Sequence, residues 1–189
     1  APGLFFPQDG DALAASSTIS FRLTHAATVT LAILDASTGT VVRRAMTRVI
    51  RAAGTWTWRW DGRMAGGAWA PRGTYVASLT VVGPYGTTVL RRSIVADAFS
   101  STLSAVTVGA GQPVTVRFRS AEPLASLPSA SLRQAGAAPV AMKVTKLADG
   151  SFSAIATIAH GAPGAATIVL TGRDILGHAN SSVLRLTVE

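Results

Sequence analysis

The 189-residue sequence has no cysteine, two lysines, two glutamates, one asparagine and three histidines. Without cysteine there is no disulfide, no structural thiolate zinc site and no thiol nucleophile; the compartment is left open. His25, His160 and His178 stand far apart, each in a turn-forming stretch, with no His/Asp/Glu spacing of the kind a metal site uses. The glutamates are Glu122 and Glu189, the latter the last residue, so paired-carboxylate hydrolysis would fall to aspartates in turns. No Gly-x-Ser-x-Gly elbow is present, and the glycine-rich loop Met64–Ala68 lacks the Lys-Ser/Thr and the helix of a phosphate cradle. No run approaches the roughly 20 apolar residues of a membrane helix, and no signal-peptide pattern is found. The Ala-Pro start fits a cleaved leader or a trimmed end. These absences predict a non-enzyme with no cofactor, no bound metal and no membrane insertion.

Charge is sparse as well, at 14% of residues, yet lopsided: 17 basic side chains, 15 of them Arg, face nine acidic ones, for a net +8. A basic excess can signal nucleic acid or anionic glycan. Here the arginines are scattered along strand-like stretches, adjacent only at Arg43-Arg44 and Arg91-Arg92. That pattern reads as solvated outward positions, and no nucleic-acid partner is expected. Hydrophobic residues make up 48%, but 34 residues are Ala, so the material suffices for two thin cores.

What the sequence does hold is strand periodicity. The stretch Trp56 to Tyr75 carries all four tryptophans and a cluster of Gly and Pro. Trp56, Trp58 and Trp60 at period two predict a core strand, closed by an Asp61-Gly62 turn and a loop, with Tyr75 opening the next strand. Before it, residues 1–17 read as an irregular lead-in. Ile19, Phe21 and Leu23 alternate with Ser20 and Arg22; Val29, Leu31 and Ile33 repeat the pattern; a hairpin turn at Asp35–Gly39 leads to a strand from Thr40 to Arg48. Tyr75–Val82, the turn Gly83-Pro84-Tyr85-Gly86 and Thr87–Val95 predict a closing hairpin. No stretch shows sustained helical periodicity.

The run from Phe6-Pro7 and Asp9-Gly10-Asp11, through the strands above, to Trp60-Asp61-Gly62-Arg63 and Gly73-Thr74-Tyr75 resembles the FlgD-type immunoglobulin-like domain. The resemblance covers about residues 4–95. It implies an immunoglobulin-like β-sandwich of a family named for the flagellar hook-cap protein and recurring at the ends of large secreted bacterial proteins. The hook cap's inserted second domain and N-terminal assembly segment have no counterpart here, so its assembly function is not carried over.

After a polar passage at Ala96–Ser101, read as a linker, alternation resumes. It runs through Val106 and Val108, Val114, Val116 and Phe118, Val140, Met142 and Val144, Phe152 to Ile158, Thr167 to Thr171 and Val183 to Val188. The turn from Asp174 to Asn180 loosely resembles that of bacterial Ig-like modules. The sequence therefore predicts an all-β chain of two tandem immunoglobulin-like β-sandwiches, residues 1–96 and 97–189, each near the usual size of about 100 residues.

The function expected is that of a structural or binding module pair in a secreted or cell-surface bacterial protein: a spacer, adhesion unit or protein-interaction unit. The alternative is a self-assembling subunit of an extracellular filament or surface layer. Partners would be other domains or subunits of the same assembly, or a cell-wall or surface glycan. Trp58 and Trp60 are expected in the core, whereas Trp69, beside Arg72 in the loop, and Trp56, near the start of its strand, are the candidate contact residues. Asp9 and Asp11, with Asp97, weigh as calcium oxygens against a plain turn, and too few further acids are at hand. A Lys143 or Lys146 cross-link to Asn180 is disfavoured by the order of the residues.

Overall fold

The computed structural model describes residues 3–160 and 163–189. Among these, all regular structure is β-strand apart from one 3-10 turn at Pro7–Asp9. The chain divides into two compact units, the first ending at Asp97 and the second beginning at Ala98.

The first unit contains β1 (Gly3–Phe5), β2 (Ser17–Leu23), β3 (Ala27–Asp35), β4 (Val41–Arg51), β5 (Gly54–Trp60), β6 (Gly73–Gly83) and β7 (Gly86–Ala96). One sheet has the order β1-β7-β6-β3-β4 and the other is the pair β2-β5. Alternation explains the layering. Val29, Leu31 and Ile33 of β3 and Tyr75, Ala77 and Leu79 of β6 point inward and are buried, as period two requires. The core centres on Trp60, fully buried, with its ring 5.3 Å from that of Phe5 and 4.9 Å edge-on from that of Tyr75. Its indole Nε1 donates to the Arg63 carbonyl at 3.0 Å, so the one polar atom of the ring is satisfied. The Tyr75 hydroxyl donates to the carbonyl of Pro71, four residues upstream, a tyrosine corner at the entry to β6.

The turn between β5 and the loop explains why glycine follows Asp61. Gly62 has φ +81° and is buried against Pro7, whose Cγ would stand 2.6 Å from any added Cβ. The Asp61 carboxylate accepts from the Arg63 amide at 3.1 Å, and the Gly62 carbonyl from the Ala70 amide at 2.8 Å.

Two expectations for this unit are corrected. The expected irregular lead-in of residues 1–17 holds a regular element at Gly3–Phe5: β1 pairs in parallel with the last residues of β7, and Phe5 and Phe6 are fully buried. A three-residue strand is too short to show a period, although its apolar side chains form one wall of the Trp60 pocket. The tryptophan strand is also buried only in part: of Trp58 and Trp60, both expected in the core, Trp60 is fully buried and Trp58 is not. Among the described residues β5 pairs only with β2; Trp60 packs with Phe5 and Tyr75, while Trp56 and Trp58 lie against the cluster of Leu23, Leu31 and Leu79. Trp58 and Trp56 on the same face stay half-buried.

The second unit contains β8 (Phe99–Leu103), β9 (Thr107–Val108), β10 (Pro113–Ser120), β11 (Ser129–Gln134), β12 (Val140–Ala141), β13 (Lys143–Lys146), β14 (Phe152–Thr157), β15 (Gly164–Arg173) and β16 (Ala179–Val188). Its sheets run β13-β14-β10-β8 and β12-β11-β15-β16-β9. Phe118 anchors the core, edge-on to Phe99 at 5.6 Å and stacked on Phe152 at 5.3 Å. The turn before β16 is held from inside. The fully buried Asp174 carboxylate accepts from the amides of Leu176 at 2.6 Å and His178 at 3.2 Å. The polar-linker reading of residues 96–101 is likewise corrected. β7 runs through the buried Ala96, β8 starts at the buried Phe99, and only Asp97 and Ala98 separate them. The serines that suggest a linker, Ser100 and Ser101, lie within β8 and are both half-buried.

Candidate functional site

The three residues singled out from sequence occupy two ends of one strand. Trp69 lies in the loop after β5 and is 39% exposed. Its ring is covered on one face by the Arg63 guanidinium, 3.9 Å from the ring centroid. Arg63 is fixed in turn by the Gly67 carbonyl at 2.7 Å and by a backbone bridge to Trp69. The loop thus packs on itself and offers one indole face outward. Arg72 lies over the Phe6 ring at 4.7 Å. Trp56 sits near the Gly54 end of β5, where its Nε1 donates to Ala52 at 3.0 Å and Arg51 lies over its ring at 4.5 Å. Four residue steps of extended strand lead from Trp56 to Trp60, about 13 Å at roughly 3.3 Å per step. The structure therefore places Trp69 and Arg72 past one end of β5 and Trp56 toward the other.

The side chains most often used in catalysis serve turns instead. Asp35 accepts from the Ser37 hydroxyl at 2.6 Å, the Ser37 amide at 2.8 Å and the Thr38 amide at 3.0 Å, which hold its carboxyl below the ordinary range. Asp149 is lowered to about 2, first by the Ser151 hydroxyl, then by the Ser151 amide, with Arg119 adding at 2.7 Å. Burial raises the Tyr75 phenol, with the Asp35 charge adding to the effect. Asp9 and Asp11 accept from amides of their own turn, those of Asp11 and Leu13. His25, His160 and His178 are all exposed. Asn180, buried on β16, donates to Glu122 at 2.8 Å, while Lys143 and Lys146 are exposed on β13 of the opposite sheet.

The most open feature of the first unit escaped the sequence reading. Along β2 the sandwich has an open side: among the described residues β2 pairs with β5 alone. Across from it, the described part of β1 covers β7 at Ile94–Ala96. Between the two runs a groove of about 420 Å³, floored by Phe21, Leu23, Leu79, Val81 and Leu90, with Tyr85 at its rim. It continues past Ser20 into a second hollow of about 270 Å³, flanked by Thr18, Ile19, Ala77 and Ile94. Tyr85 and Leu90 are 87% and 56% exposed, large for such side chains in a folded domain. A sequence signal was present in the broken alternation of Thr88-Val89-Leu90, which puts an apolar residue on each face of β7.

The comparisons with known proteins bear mainly on the first unit. The FlgD Ig-like domain family matches residues 9–83. No curated protein is significantly similar in sequence. A solved FlgD from P. aeruginosa is similar at 28% identity, over 42% of this chain and 59% of that one, with a TM-score of 0.35. A tetra-tandem repeat from the extending region of a large adhesion protein aligns with 98% of this chain and 48% of its own, at 16% identity and a TM-score of 0.39. A bacterial ice-binding adhesin aligns with 98% of this chain and 60% of its own, at 18% identity and a TM-score of 0.34. The chain thus spans less than two thirds of each of these structures. The sequence match falls on β2 to β6 of the first unit's immunoglobulin-like sandwich, and that stretch is similar to the FlgD Ig-like domain family.

Proposed function

We propose that the chain is a non-catalytic pair of immunoglobulin-like modules from a secreted or cell-surface bacterial protein, acting as a spacer and as a binding unit for other protein. The observation that carries this reading is the FlgD-type match over residues 9–83, on a sandwich whose aspartates staple turns. Binding draws support from the apolar side chains left on the β6–β7 arm, Val82, Tyr85, Val89 and Leu90, each 47% exposed or more. Among the described residues no helix is long and apolar enough to cross a membrane. The open strand edges of the first unit also suit a second reading, a subunit that assembles with its own copies. A surface glycan remains the other partner class for the basic, Arg-bearing faces, with Trp69 the aromatic to stack on it.

Sedimentation across a concentration series, repeated with an acidic cell-wall polysaccharide, tests these readings together. Association that grows with concentration supports the subunit, and a shift only with polysaccharide supports the glycan-binding module. A strictly monomeric chain that ignores the glycan removes both and leaves the spacer with protein partners alone.

A further inference from the structure

The sheet containing β7, β6, β3 and β4 has a second face, turned away from the core, and its register fixes what stands there. Antiparallel partners share a face, so Arg91 on β7, Ser78 on β6, Ala32 on β3 and Arg44 on β4 form one outward row across four strands. The next row runs from Val89 through Thr80 to Thr30. On β4 the register then shifts between the partners of Val29 and Leu31, a bulge that sets Thr47 and Arg48 opposite Thr30 and brings Arg48 into the outward set. Arg48 has φ +51°, a left-handed backbone that residues with side chains rarely take. Thr30 holds it there, its hydroxyl accepting from the Arg48 amide at 3.2 Å. Strain of this kind gathers at functional sites.

Burial gives the two rows a low middle and high ends. Arg44, Arg48 and Arg91 are exposed, Thr30, Ser78 and Thr80 half-buried and Ala32 buried. Arg91 and Arg44 stand about 14 Å apart along their row, three strand spacings of about 4.8 Å. No acid answers them on this face. β4, β6 and β7 contain no Asp or Glu, and Asp35 of β3 stands in register with the inward Tyr75 and binds the amides of its own turn. The field over the face is therefore positive. Tyr75 is also the only aromatic in these four strands and is buried, so a nucleic-acid base or a neutral sugar finds no ring to stack on. The middle of the rows offers hydroxyls rather than the apolar centre that a docked protein would need.

We propose that this face binds a linear acidic polysaccharide, its carboxylates paired with Arg44, Arg48 and Arg91 and its hydroxyls bonded by Thr30, Ser78 and Thr80 between them. The planar guanidinium fork matches a carboxylate through two parallel hydrogen bonds. The proposal rests on the glycan reading above and gives it a surface and a ligand chemistry, apart from the Trp69 loop.

The test titrates the full chain, by calorimetry, with a hexamer of galacturonic acid, beside a neutral glucose hexamer and hexaglutamate. The expected result is saturable binding of the uronate hexamer alone, weakened at least tenfold in about 0.5 M salt. Arg44→Gln combined with Arg91→Gln should weaken it tenfold or more. Arg48→Gly should weaken it about fivefold while the midpoint of urea unfolding holds or rises, since glycine takes a positive φ freely. Trp69→Ala should bind within twofold of the unaltered chain. Hexaglutamate binding as tight as the uronate would overturn the proposal in favour of an acidic protein partner. Uronate binding that survives the Arg substitutions and is lost with Trp69→Ala would overturn it and leave the glycan reading standing. Failure of the uronate to bind would also overturn it; a polysaccharide shift in sedimentation would then keep the glycan reading, and its absence would remove that as well.

Discussion

Replacing Trp60 with Ala should unfold the first unit by about 3–5 kcal/mol, the usual range for truncating a large buried aromatic. A buried Trp removes about 150–250 Å² from water, which at about 25 cal/mol/Å² is worth up to roughly 4–6 kcal/mol, and the remaining Ala recovers part of that. The edge-on contacts with Phe5 and Tyr75 are lost together with the indole bond to Arg63, whose carbonyl is then left without its donor. Trp60→Phe should fall between, at about 1–2 kcal/mol, since the ring survives and the hydrogen bond does not. Trp69→Ala should cost about 1 kcal/mol or less, because that ring is 39% exposed and rests on a flexible Arg. All four tryptophans and both tyrosines precede Asp97, so intrinsic fluorescence in a urea titration reports the first unit alone. With a slope of about 1.5 kcal/mol/M, Trp60→Ala moves the midpoint by about 2–3 M. Equal midpoint shifts for Trp60→Ala and Trp69→Ala would refute the account of which tryptophan organises the core.

The second unit offers a pH test. Its folded Asp149 carboxyl lies near 2 against an ordinary 3.8, so its stabilising effect is present above about pH 4 and lost as the pH falls through about 2. Asp149→Asn should therefore lower the midpoint, read by circular dichroism, at neutral pH, and the gap to the unaltered chain should close toward pH 2; a gap independent of pH would show that the turn's staple is not the ionised form. Residues 98–189 expressed alone should give a β-rich spectrum and one cooperative unfolding transition, as a self-contained sandwich requires, and a fragment lacking either would mean that the second core depends on the first.

Much of the fold was legible because its inner strands obey period two over five or more residues. β2, β3, β6 and β10 announce themselves through Ile19-Phe21-Leu23, Val29-Leu31-Ile33, Tyr75-Ala77-Leu79 and Val114-Val116-Phe118. Trp60 as a core residue and Trp69 as a loop residue also followed from spacing and from the Asp61-Gly62 turn. β1 did not, because three residues carry no period and its partner, the end of β7, lies some ninety positions away in sequence. The half-burial of Trp58 and Trp56 was equally hidden. It depends on how many strands flank β5, a property of the sheet rather than of the strand.

The open side along β2 was illegible for a related reason, and that bears on how it should be read. A local pattern reports which face of a strand is wet; it says nothing about whether the strand's edge has a neighbour. β2 alternates as cleanly as β10, yet among the described residues β10 has partners on both edges and β2 on one. An uncovered edge is costly when it is flat and apolar, since it invites indiscriminate pairing. Here the edge carries Arg22, a charge of the kind that limits such indiscriminate pairing.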